Sequence, residues 1–358
     1  MSTTETTSPL ESVALHAPRF ALGALSGPVI GAAAVFLLFT LLIGLKGELH
    51  NFLSLRNLQL LLHEGTAPAV VALGMLLVIV SGGIDLSVGS VIALVTVVTM
   101  QVYRGLYQDQ GMATASAVAV AAGLATGGLC GLTNGLIITR LRVSPFVATL
   151  GMFSIAHGLA VWLAERKLVA FPRDGRPAWV DALAEVHPGW TETVLGAQVY
   201  HPAWFLFNPG FWTMAVLAVI VAVLLRSTIL GRYCYAIGSN EATARLCGVP
   251  VGRCKVAIYT IAGLLAGWAG VLVFARGGSG DPSGGEGMEL RVIAAVVIGG
   301  ASLAGGRGTV VGALLGVLIL EILNNGVGVF NVPVELQYIL IGVIIIANTA
   351  LSGWRARE

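Results

Sequence analysis

Runs of about twenty consecutive apolar residues recur along most of this chain, and they constrain its fold more than any other feature. A helix of that length crosses a hydrocarbon layer about 30 Å thick. None of the runs shows the alternation of apolar and polar residues that marks the strands of a membrane barrel. Only 11% of the 358 residues are charged, against about a quarter in soluble domains. The sequence therefore predicts an all-α polytopic membrane protein.

We expect a transmembrane domain at 23–353, preceded by a tail at 1–22 that is rich in Ser and Thr and that we expect to be disordered and cytoplasmic. The domain contains about ten transmembrane helices, predicted at 23–45, 58–80, 86–103, 113–139, 146–165, 210–225, 256–275, 290–304, 308–329 and 334–352. Ten crossings place both termini on one side. Lys and Arg favour the cytoplasmic side, and their distribution here places both termini in the cytoplasm. The net charge of +2 gives no indication of nucleic-acid binding.

The polar segment at 226–255 separates two of the predicted spans and carries five basic residues. Within it, Ser239 is a candidate N-cap for a helix of about two turns. Glu241 occupies the first turn and Arg245 the last, and each charge suits its end of the helix dipole. Gly248 follows as the expected stop. The positive-inside rule places this segment in the cytoplasm, where a short helix offers a docking site for a soluble partner.

Glycine recurs at every fourth residue in the predicted fourth span, at Gly123, Gly127, Gly131 and Gly135. Shorter series with the same spacing occur at 23–31, 263–267 and 312–316. Such small residues allow helix backbones to approach closely in lipid. Two interpretations remain open: ordinary helix packing, or surfaces that slide during a transport cycle.

Two glycine-rich breaks, at 81–89 and 299–306, interrupt the apolar runs. They align with Gly82 opposite Gly299, Gly83 opposite Gly300, Asp85 opposite Ser302, Leu86 opposite Leu303 and Gly89 opposite Gly306. This match suggests two related halves with discontinuous helices, an arrangement that often marks a gate in transporters. Ser87 lies inside the first break and is a further gate candidate. The alternative is that both breaks are simple turns, with Asp85 capping a helix that begins near Leu86.

A polar loop of about forty residues at 166–208 follows the fifth span and contains Trp179, Trp190 and Trp204. With the amino terminus in the cytoplasm, this loop is periplasmic. Tryptophan is enriched where membrane meets water, which favours an interfacial anchor. A docking surface for an external protein remains the alternative, since a loop this long usually has a role.

Several polar residues fall inside or beside the predicted spans: His63, Glu64, Asn134, His157, Glu321, Asn324 and Asn325. Polar groups at membrane depth are costly and are candidates for a translocation path. Asn134 and His157 could instead bond neighbouring helices. Glu321 is the strongest single candidate, and it would be the essential titratable group of an ion-driven secondary transporter.

The motifs of several enzyme classes are missing from the sequence. It contains no G-x-x-x-x-G-K-[ST] cradle for nucleotide phosphates, no H-E-x-x-H and no G-x-S-x-G. The four cysteines match no zinc pattern, and we interpret them as reduced thiols. We therefore expect no catalytic residue, metal or cofactor in this chain.

Four stretches together carry a family resemblance: SGGIDLSVGSVIAL (81–94), GRYCYAIGSNEATARLCGVPVGRCKVAIY (231–259), LRVIAAVVIGGASLAGGRGTVVGALLGVLIL (290–320) and LNNG (323–326). From about residue 50 to its end, the chain resembles the permease subunits of ribose-type bacterial ABC sugar importers. The resemblance implies a fold of the vitamin B12 importer type in the bacterial inner membrane. It also implies three partners: a cytosolic ABC ATPase, a periplasmic sugar-binding protein and a second permease.

The residues that match the family's ATPase-coupling loop are Gly231, Arg232, Tyr235, Gly238, Asn240, Glu241, Ala242, Arg245 and Gly248. The loop at 166–208 is longer and richer in Trp than the family's ribose permeases carry. Relatives also include permeases for xylose, rhamnose and galactofuranose, so the sugar is left open. A branched-chain amino acid permease is a further alternative, although that group lacks the GGIDLSVG stretch.

Overall fold

The computed structural model describes residues 19–47, 49–184, 190–194, 197–201 and 208–330, together with the single positions 336, 339 and 342. Its helices are α1 (Arg19–Lys46), α2 (Leu49–Phe52), α3 (Leu55–Val80), α4 (Val88–Arg140), α5 (Pro145–Leu163), α6 (Ala178–Ala184), α7 (Pro209–Ser227), α8 (Ile229–Ser239), α9 (Glu241–Leu246), α10 (Val251–Gly277), α11 (Met288–Ile298) and α12 (Val310–Val329). Its strands are β1 (Val169–Ala170), β2 (Trp190–Val194), β3 (Ala197–His201) and β4 (Ser279–Gly280).

Seven of the described helices are long and apolar enough to cross a membrane, which confirms the all-α polytopic prediction. One of them, α4, has 53 residues and covers the two predicted spans at 86–103 and 113–139. Gly111 divides α4 because its backbone has φ 77° and ψ 165°, far from helical values. A helix of this length, turned at its middle, provides two crossings.

The predicted span at 290–304 is wrong in its extent. The helix found there, α11, has 11 residues and is about 16 Å long, which is too short to cross the membrane. The predicted span at 334–352 lies outside the described residues, apart from three single positions. The count of ten crossings therefore stays a prediction. At the amino end, α1 begins at Arg19, four residues before the predicted start of the first span at 23.

The predicted glycine seam of α4 packs against α10. A methyl group added at Gly127 would overlap the carbonyl oxygen of Gly263, and one at Gly131 would overlap that of Tyr259. Gly299 and Gly312 approach each other in the same way and join α11 to α12. In lipid the hydrophobic effect does not favour helix association, so close backbone packing of this kind stabilises the bundle instead. The glycine series of these helices thus lie at close helix-packing contacts.

Helix α3 lies at the centre of the bundle, buried almost continuously from Gly65 to Val80. In contrast, α1, α5 and α7 expose large apolar side chains such as Leu37, Trp162 and Val219. Exposed apolar faces on long helices suit contact with lipid. The buried position of α3 means that the break following Val80 lies against several other elements.

The first part of the loop at 166–208 is fastened to the helices. Strand β1 pairs with β4 after α10, and the Tyr103 hydroxyl of α4 donates to the Gly175 carbonyl at 2.6 Å. The ring of Trp179 stacks on Phe274 with 6.1 Å between the ring centres, so this tryptophan packs on α10. Strands β2 and β3 form a hairpin, and the side chains of Trp190 and Trp204 lie outside what the structure describes.

Candidate functional site

The polar segment at 226–255 contains two helices, α8 and α9, where the sequence predicted one. Thr228 caps α8 by accepting a hydrogen bond from the Gly231 amide at 3.1 Å. Gly231, Cys234 and Ile237 form its buried face, with the spacing of three that an amphipathic helix requires. That spacing and the Thr228 cap were signals in the sequence from which α8 could have been predicted.

The predicted cap of α9 is wrong by one residue. Ser239 ends α8, and Asn240 caps α9 by accepting a hydrogen bond from the Thr243 amide at 2.9 Å. Both residue types cap helices well, but the continuation of α8 through Ser239 leaves only Asn240 free for the cap. Gly248 follows α9 with a φ of 81°, as predicted for its stop.

The α9 helix exposes one face and packs on α10 with the other. Ala242 and Arg245 are exposed, and Leu246 is 89% exposed, which is unusual for a leucine in a described helix. Ala244 packs on the opposite side in a small cluster with Cys254 of α10. An exposed leucine on a short fixed helix fits a surface that another protein covers.

Glu241 fixes α9 to α10 electrostatically. Its carboxylate accepts from Lys255 Nζ at 2.6 Å and from Arg245 Nη2 at 2.8 Å. Partial burial alone would raise the Glu241 pKa, but the bonds and charges of Lys255 and Arg245 outweigh it and hold that pKa below its ordinary value. A cavity of about 330 Å³ opens beside this cluster and is also lined by Arg142.

Helix α8 ends against both glycine breaks. Gly238 touches the Val80 carbonyl, where the first break begins, and the Gly306 amide of the second break. A methyl group at Gly238 would overlap the Val80 oxygen, so only glycine fits this contact. Gly305 in turn lies against Gly238. Three segments that are far apart in sequence therefore meet at one point, which we call the glycine junction (Val80, Gly238, Gly305, Gly306).

Hydrogen bonds reinforce the glycine junction. The Gly306 amide donates to the Val80 carbonyl at 2.9 Å and so joins the two breaks directly. The Tyr235 hydroxyl donates to the Gly308 carbonyl at 2.8 Å. A displacement of α8 would therefore move both breaks. No spacing in the sequence predicted this meeting.

The two breaks share a helix-terminating geometry, in a register different from the predicted one. Gly82 and Gly300 have φ values of 80° and 92° and follow α3 and α11 as left-handed residues. The Gly83 amide bonds to Val78, five residues back, and the Ala301 amide bonds to Val296 in the same way. The predicted pairing of Gly82 with Gly299 and of Gly83 with Gly300 is thus one residue off.

The second break is four residues longer than the first, because α4 begins after Ser87 and α12 begins after Thr309. Ser302 lies within the longer turn, where its amide donates to the Arg307 carbonyl at 3.1 Å and its carbonyl accepts from Gly305 at 2.9 Å. The Ser302 hydroxyl accepts from the Ala304 amide at 3.3 Å, just as Asp85 accepts from the Ser87 amide, so the predicted alignment of Asp85 with Ser302 joins side chains with the same local bond.

Asp85 organises the first break from within. It is 5% exposed, and its Oδ1 accepts from the Ser87 amide at 2.9 Å and from the Ser87 hydroxyl at 2.6 Å. Asn134 of α4 donates to the same hydroxyl at 3.0 Å, which confirms its helix-bonding interpretation. The helix that follows begins at Val88, two residues after the predicted start near Leu86.

Glu321 forms a second polar group, in α12. It is 5% exposed, and its Oε1 accepts from Arg291 Nη2 of α11 at 2.9 Å. Asn324 also bonds to Glu321. Gly65 of α3 gives Glu321 the space it occupies, since a methyl group there would press on its side chain at 3.2 Å. The sequence did not identify Arg291 as the partner.

Other polar candidates pair near the opposite end of α3. Asn325 and Asn57 exchange two hydrogen bonds at 2.8 and 3.0 Å. Glu64 bonds to Arg276 at 2.6 Å. His63 lies 2.8 Å from Asn208, the residue that caps α7. These contacts join α3 to α7, α10 and α12.

His157 is exposed on α5 and stacks on Phe153 of the same helix, so in the part of the chain described it does not bond to a neighbouring helix.

Among the described residues, no group of three His, Cys, Asp or Glu side chains is arranged to hold a metal ion.

A bundle of long apolar helices, with α3 and α11 both ending at glycine breaks, is typical of membrane transport proteins. The chain belongs to the family described as "Branched-chain amino acid transport system / permease component", whose model matches residues 57–349.

Three curated relatives are similar over most of their length. The ribose import permease of Escherichia coli is 38% identical over 83% of this chain and 85% of its own. The fructose import permease of Rhizobium meliloti is 32% identical, over 91% and 84%. The L-arabinose ABC transporter permease of Azospirillum brasilense is 32% identical, over 98% and 96%. No solved structure matches this chain.

Proposed function

We propose that this chain is the permease subunit of an ATP-binding cassette importer that carries a monosaccharide across the bacterial inner membrane. The substrate is a ribose-like pentose or a hexose. The chain is a multi-pass membrane protein and not an enzyme; ATP hydrolysis belongs to a separate subunit. The names of its relatives, which specify ribose, fructose and L-arabinose, favour a sugar over a branched-chain amino acid.

The glycine junction is the observation that carries this proposal. A soluble ATPase can act on a membrane path only through a rigid connection. The exposed face of α9, its fixation through Glu241 and the contact of Gly238 with both breaks supply such a connection. The nine residues matched to the family's coupling loop lie in α8, in α9, at the Asn240 cap between them or at Gly248.

The mechanism follows from this connection. ATP binding in the partner closes its two nucleotide-binding domains and presses on α9. Because α9 is joined to α8 and α10, the pressure displaces Gly238 and Tyr235, and with them the two breaks. The breaks end α3 and α11, so these helices tilt and alternate the path between outward and inward openings. Hydrolysis resets the arrangement. The ATPase can shift the equilibrium between the outward and inward openings only if its contacts with α9 differ between the two states.

The importer requires three partners: the cytosolic ABC ATPase, a periplasmic sugar-binding protein and a second permease, which is either a copy of this chain or a related one. Both termini lie in the cytoplasm, and the loop at 166–208 lies in the periplasm. In this orientation, the α8 and α9 surface faces the ATPase. The strand pair of β1 and β4 then lies at the opposite, periplasmic end of the helices.

An ion-driven secondary transporter is less well supported. That mechanism needs an acid in the membrane that binds and releases an ion, and Glu321 was its candidate. Glu321 instead accepts a hydrogen bond from Arg291 at 2.9 Å, so its carboxylate already has a partner within the protein.

The test is purification of the tagged chain from its native membrane, with the co-purifying proteins identified by mass spectrometry. We expect an ATPase with Walker motifs and a permease in fixed ratio. The same complex, placed in liposomes with its binding protein, should take up labelled D-ribose, D-fructose or L-arabinose only with ATP inside. Uptake driven by an ion gradient without ATP would contradict the proposal.

A further inference from the structure

The cavity of about 330 Å³ beside α9 is lined by basic side chains from three separate segments. Arg142 comes from the turn between α4 and α5, Arg245 from α9 and Lys255 from α10. Glu241 is the one acid among the lining residues, so the lining carries a net charge of +2. A concave site with an excess of one charge attracts ligands of the opposite charge.

The cations of this cavity are only partly neutralised from within the chain. Glu241 accepts from Lys255 at 2.6 Å and from Arg245 at 2.8 Å, so two cations share one negative charge. The Arg142 guanidinium has no ion pair or hydrogen bond with any described residue. A guanidinium offers five N–H donors in a planar fork that matches the geometry of a phosphate group. Arg142 is therefore available to an anion from outside the chain.

Two long helices also begin at this cavity. Pro145 at the start of α5 and Val251 at the start of α10 both line it. Neither Ser144 nor Pro250, the residues that precede these helices, provides a side-chain cap. Amide groups of the first turns therefore lack intrahelical partners, and the positive end of each helix dipole favours an anion nearby. This effect adds to the attraction of the three cations.

The surroundings of the cavity favour the phosphate of a membrane lipid over a free anion. Helix α5 leads away from it as a span, and Phe146, Val147 and Leu150 in its first two turns are each about half exposed. Exposed apolar side chains on a span suit contact with acyl chains. In the orientation proposed above, α9 is cytoplasmic, which places the cavity at the inner leaflet. Basic pockets between membrane helices at that surface bind anionic lipid headgroups.

We propose that this cavity binds the phosphate of an anionic phospholipid such as phosphatidylglycerol. Arg142 and Arg245 donate hydrogen bonds to the phosphate oxygens, and the acyl chains lie along the exposed face of α5. The bound phosphate then connects α9 to the turn before α5, as a second attachment beside that of Glu241 to Lys255. The assignment takes only the orientation of α9 from the proposed function.

Native mass spectrometry of the complete importer in a neutral detergent measures this binding. The complex is titrated with dioctanoyl-phosphatidylglycerol or dioctanoyl-phosphatidylcholine, and we expect the wild type to bind phosphatidylglycerol more tightly. Arg142→Gln should weaken that binding about fivefold, the effect of one basic residue on an anionic headgroup. Arg142→Lys keeps the charge and should retain most of the affinity. An equal concentration of inorganic phosphate should not displace the lipid, because phosphate lacks the acyl contacts.

Arg140→Gln is the matched control, since Arg140 is an exposed arginine two residues before Arg142 that does not line the cavity. It should leave the affinity for phosphatidylglycerol unchanged. Equal losses in Arg140→Gln and Arg142→Gln would overturn the assignment, because they indicate only the general attraction of basic residues for anionic lipid. Unchanged affinity in Arg142→Gln would also overturn it and would favour an acidic side chain of the ATPase as the occupant.

Displacement of the lipid by an equal concentration of inorganic phosphate would assign the cavity to a soluble anion and likewise overturn the proposal. The binding measurement uses neither sugar nor ATP, so its outcome is separate from that of the uptake assay. An importer that binds the lipid as expected but carries no sugar would contradict the proposed function and leave the lipid site in place.

Discussion

The hydroxyl of Tyr235 donates a hydrogen bond to the carbonyl of Gly308 at 2.8 Å, across 73 positions of sequence. Tyr235 belongs to α8, and Gly308 lies in the break that precedes α12. With the bond from Gly306 to Val80, this contact joins α8 to both glycine breaks.

Tyr235→Phe should weaken coupling while leaving the protein folded. The change keeps the ring and removes one hydrogen bond, which contributes about 1 kcal/mol. We expect the number of sugar molecules imported per ATP hydrolysed to fall severalfold. Paired uptake and ATPase assays on the same liposomes give this ratio. Tyr233→Phe, on the same helix, is the control and should keep the wild-type ratio; an unchanged ratio in Tyr235→Phe would argue against transmission through Gly308.

Gly238→Ala should destabilise the purified chain. The added methyl group overlaps the Val80 carbonyl, and overpacking of this kind costs about 1–3 kcal/mol. Gly252→Ala is the matched control, because a methyl group there meets only Thr139, at 3.9 Å. Thermal unfolding in detergent should show a lower midpoint for Gly238→Ala and an equal or higher one for Gly252→Ala. Equal midpoints for Gly238→Ala and wild type would contradict the tight junction.

Glu241→Lys should uncouple ATP hydrolysis from uptake. The change places a third cation beside Lys255 and Arg245, so α9 loses its attachment to α10. Glu241→Gln keeps a hydrogen-bond acceptor and should retain part of the coupling. We expect uptake per ATP hydrolysed to be highest in the wild type, lower in Glu241→Gln and lowest in Glu241→Lys. Normal transport by the Lys variant would count against α9 as the docking helix.

The attachment of α9 should be insensitive to pH until strongly acidic conditions. The Glu241 pKa is lower in the folded protein than its ordinary 4.5, so its stabilising effect is complete above pH 4.5 and is lost as pH falls through the folded pKa. Hydrogen exchange of residues 240–249, corrected for intrinsic rates, should show constant protection from pH 7 to 5 and a loss below. Glu241→Gln should remove that acid step. Loss of protection already between pH 7 and 5 would assign the effect to another group.

The helices were predictable because each apolar run is long enough to decide its own structure. The run at 290–304 is the exception, because it resembles a span but forms the short helix α11. Helix α11 starts inside the bundle because the preceding segment, from Gly280 to Gly285, packs along α4. Such long-range packing leaves no periodic signal in the sequence.

The α9 helix was predicted nearly correctly from local capping signals, and the error at Ser239 arose because α8 was missed. The meeting of Gly238 with both breaks could not be predicted, since it depends on the relative positions of three separate segments. The partner of Glu321 was missed for the same reason: Arg291 lies 30 residues away, on another helix.

Cross-linking through Cys247 tests the central claim most directly. Cys247 is the exposed one of the four free cysteines and directly follows α9, whereas Cys234 and Cys254 are buried. Burial also raises the pKa of the Cys234 thiol to about 12, which suppresses its reaction with maleimides. The complex, purified gently from its native membrane, is treated with a short maleimide-based cross-linker and its products are identified by mass spectrometry. We predict a single major product that joins Cys247 to an ATPase with Walker motifs. Recovery of that ATPase in the complex without any link to Cys247, or repeated recovery of the chain with no ATPase at all, would contradict the account.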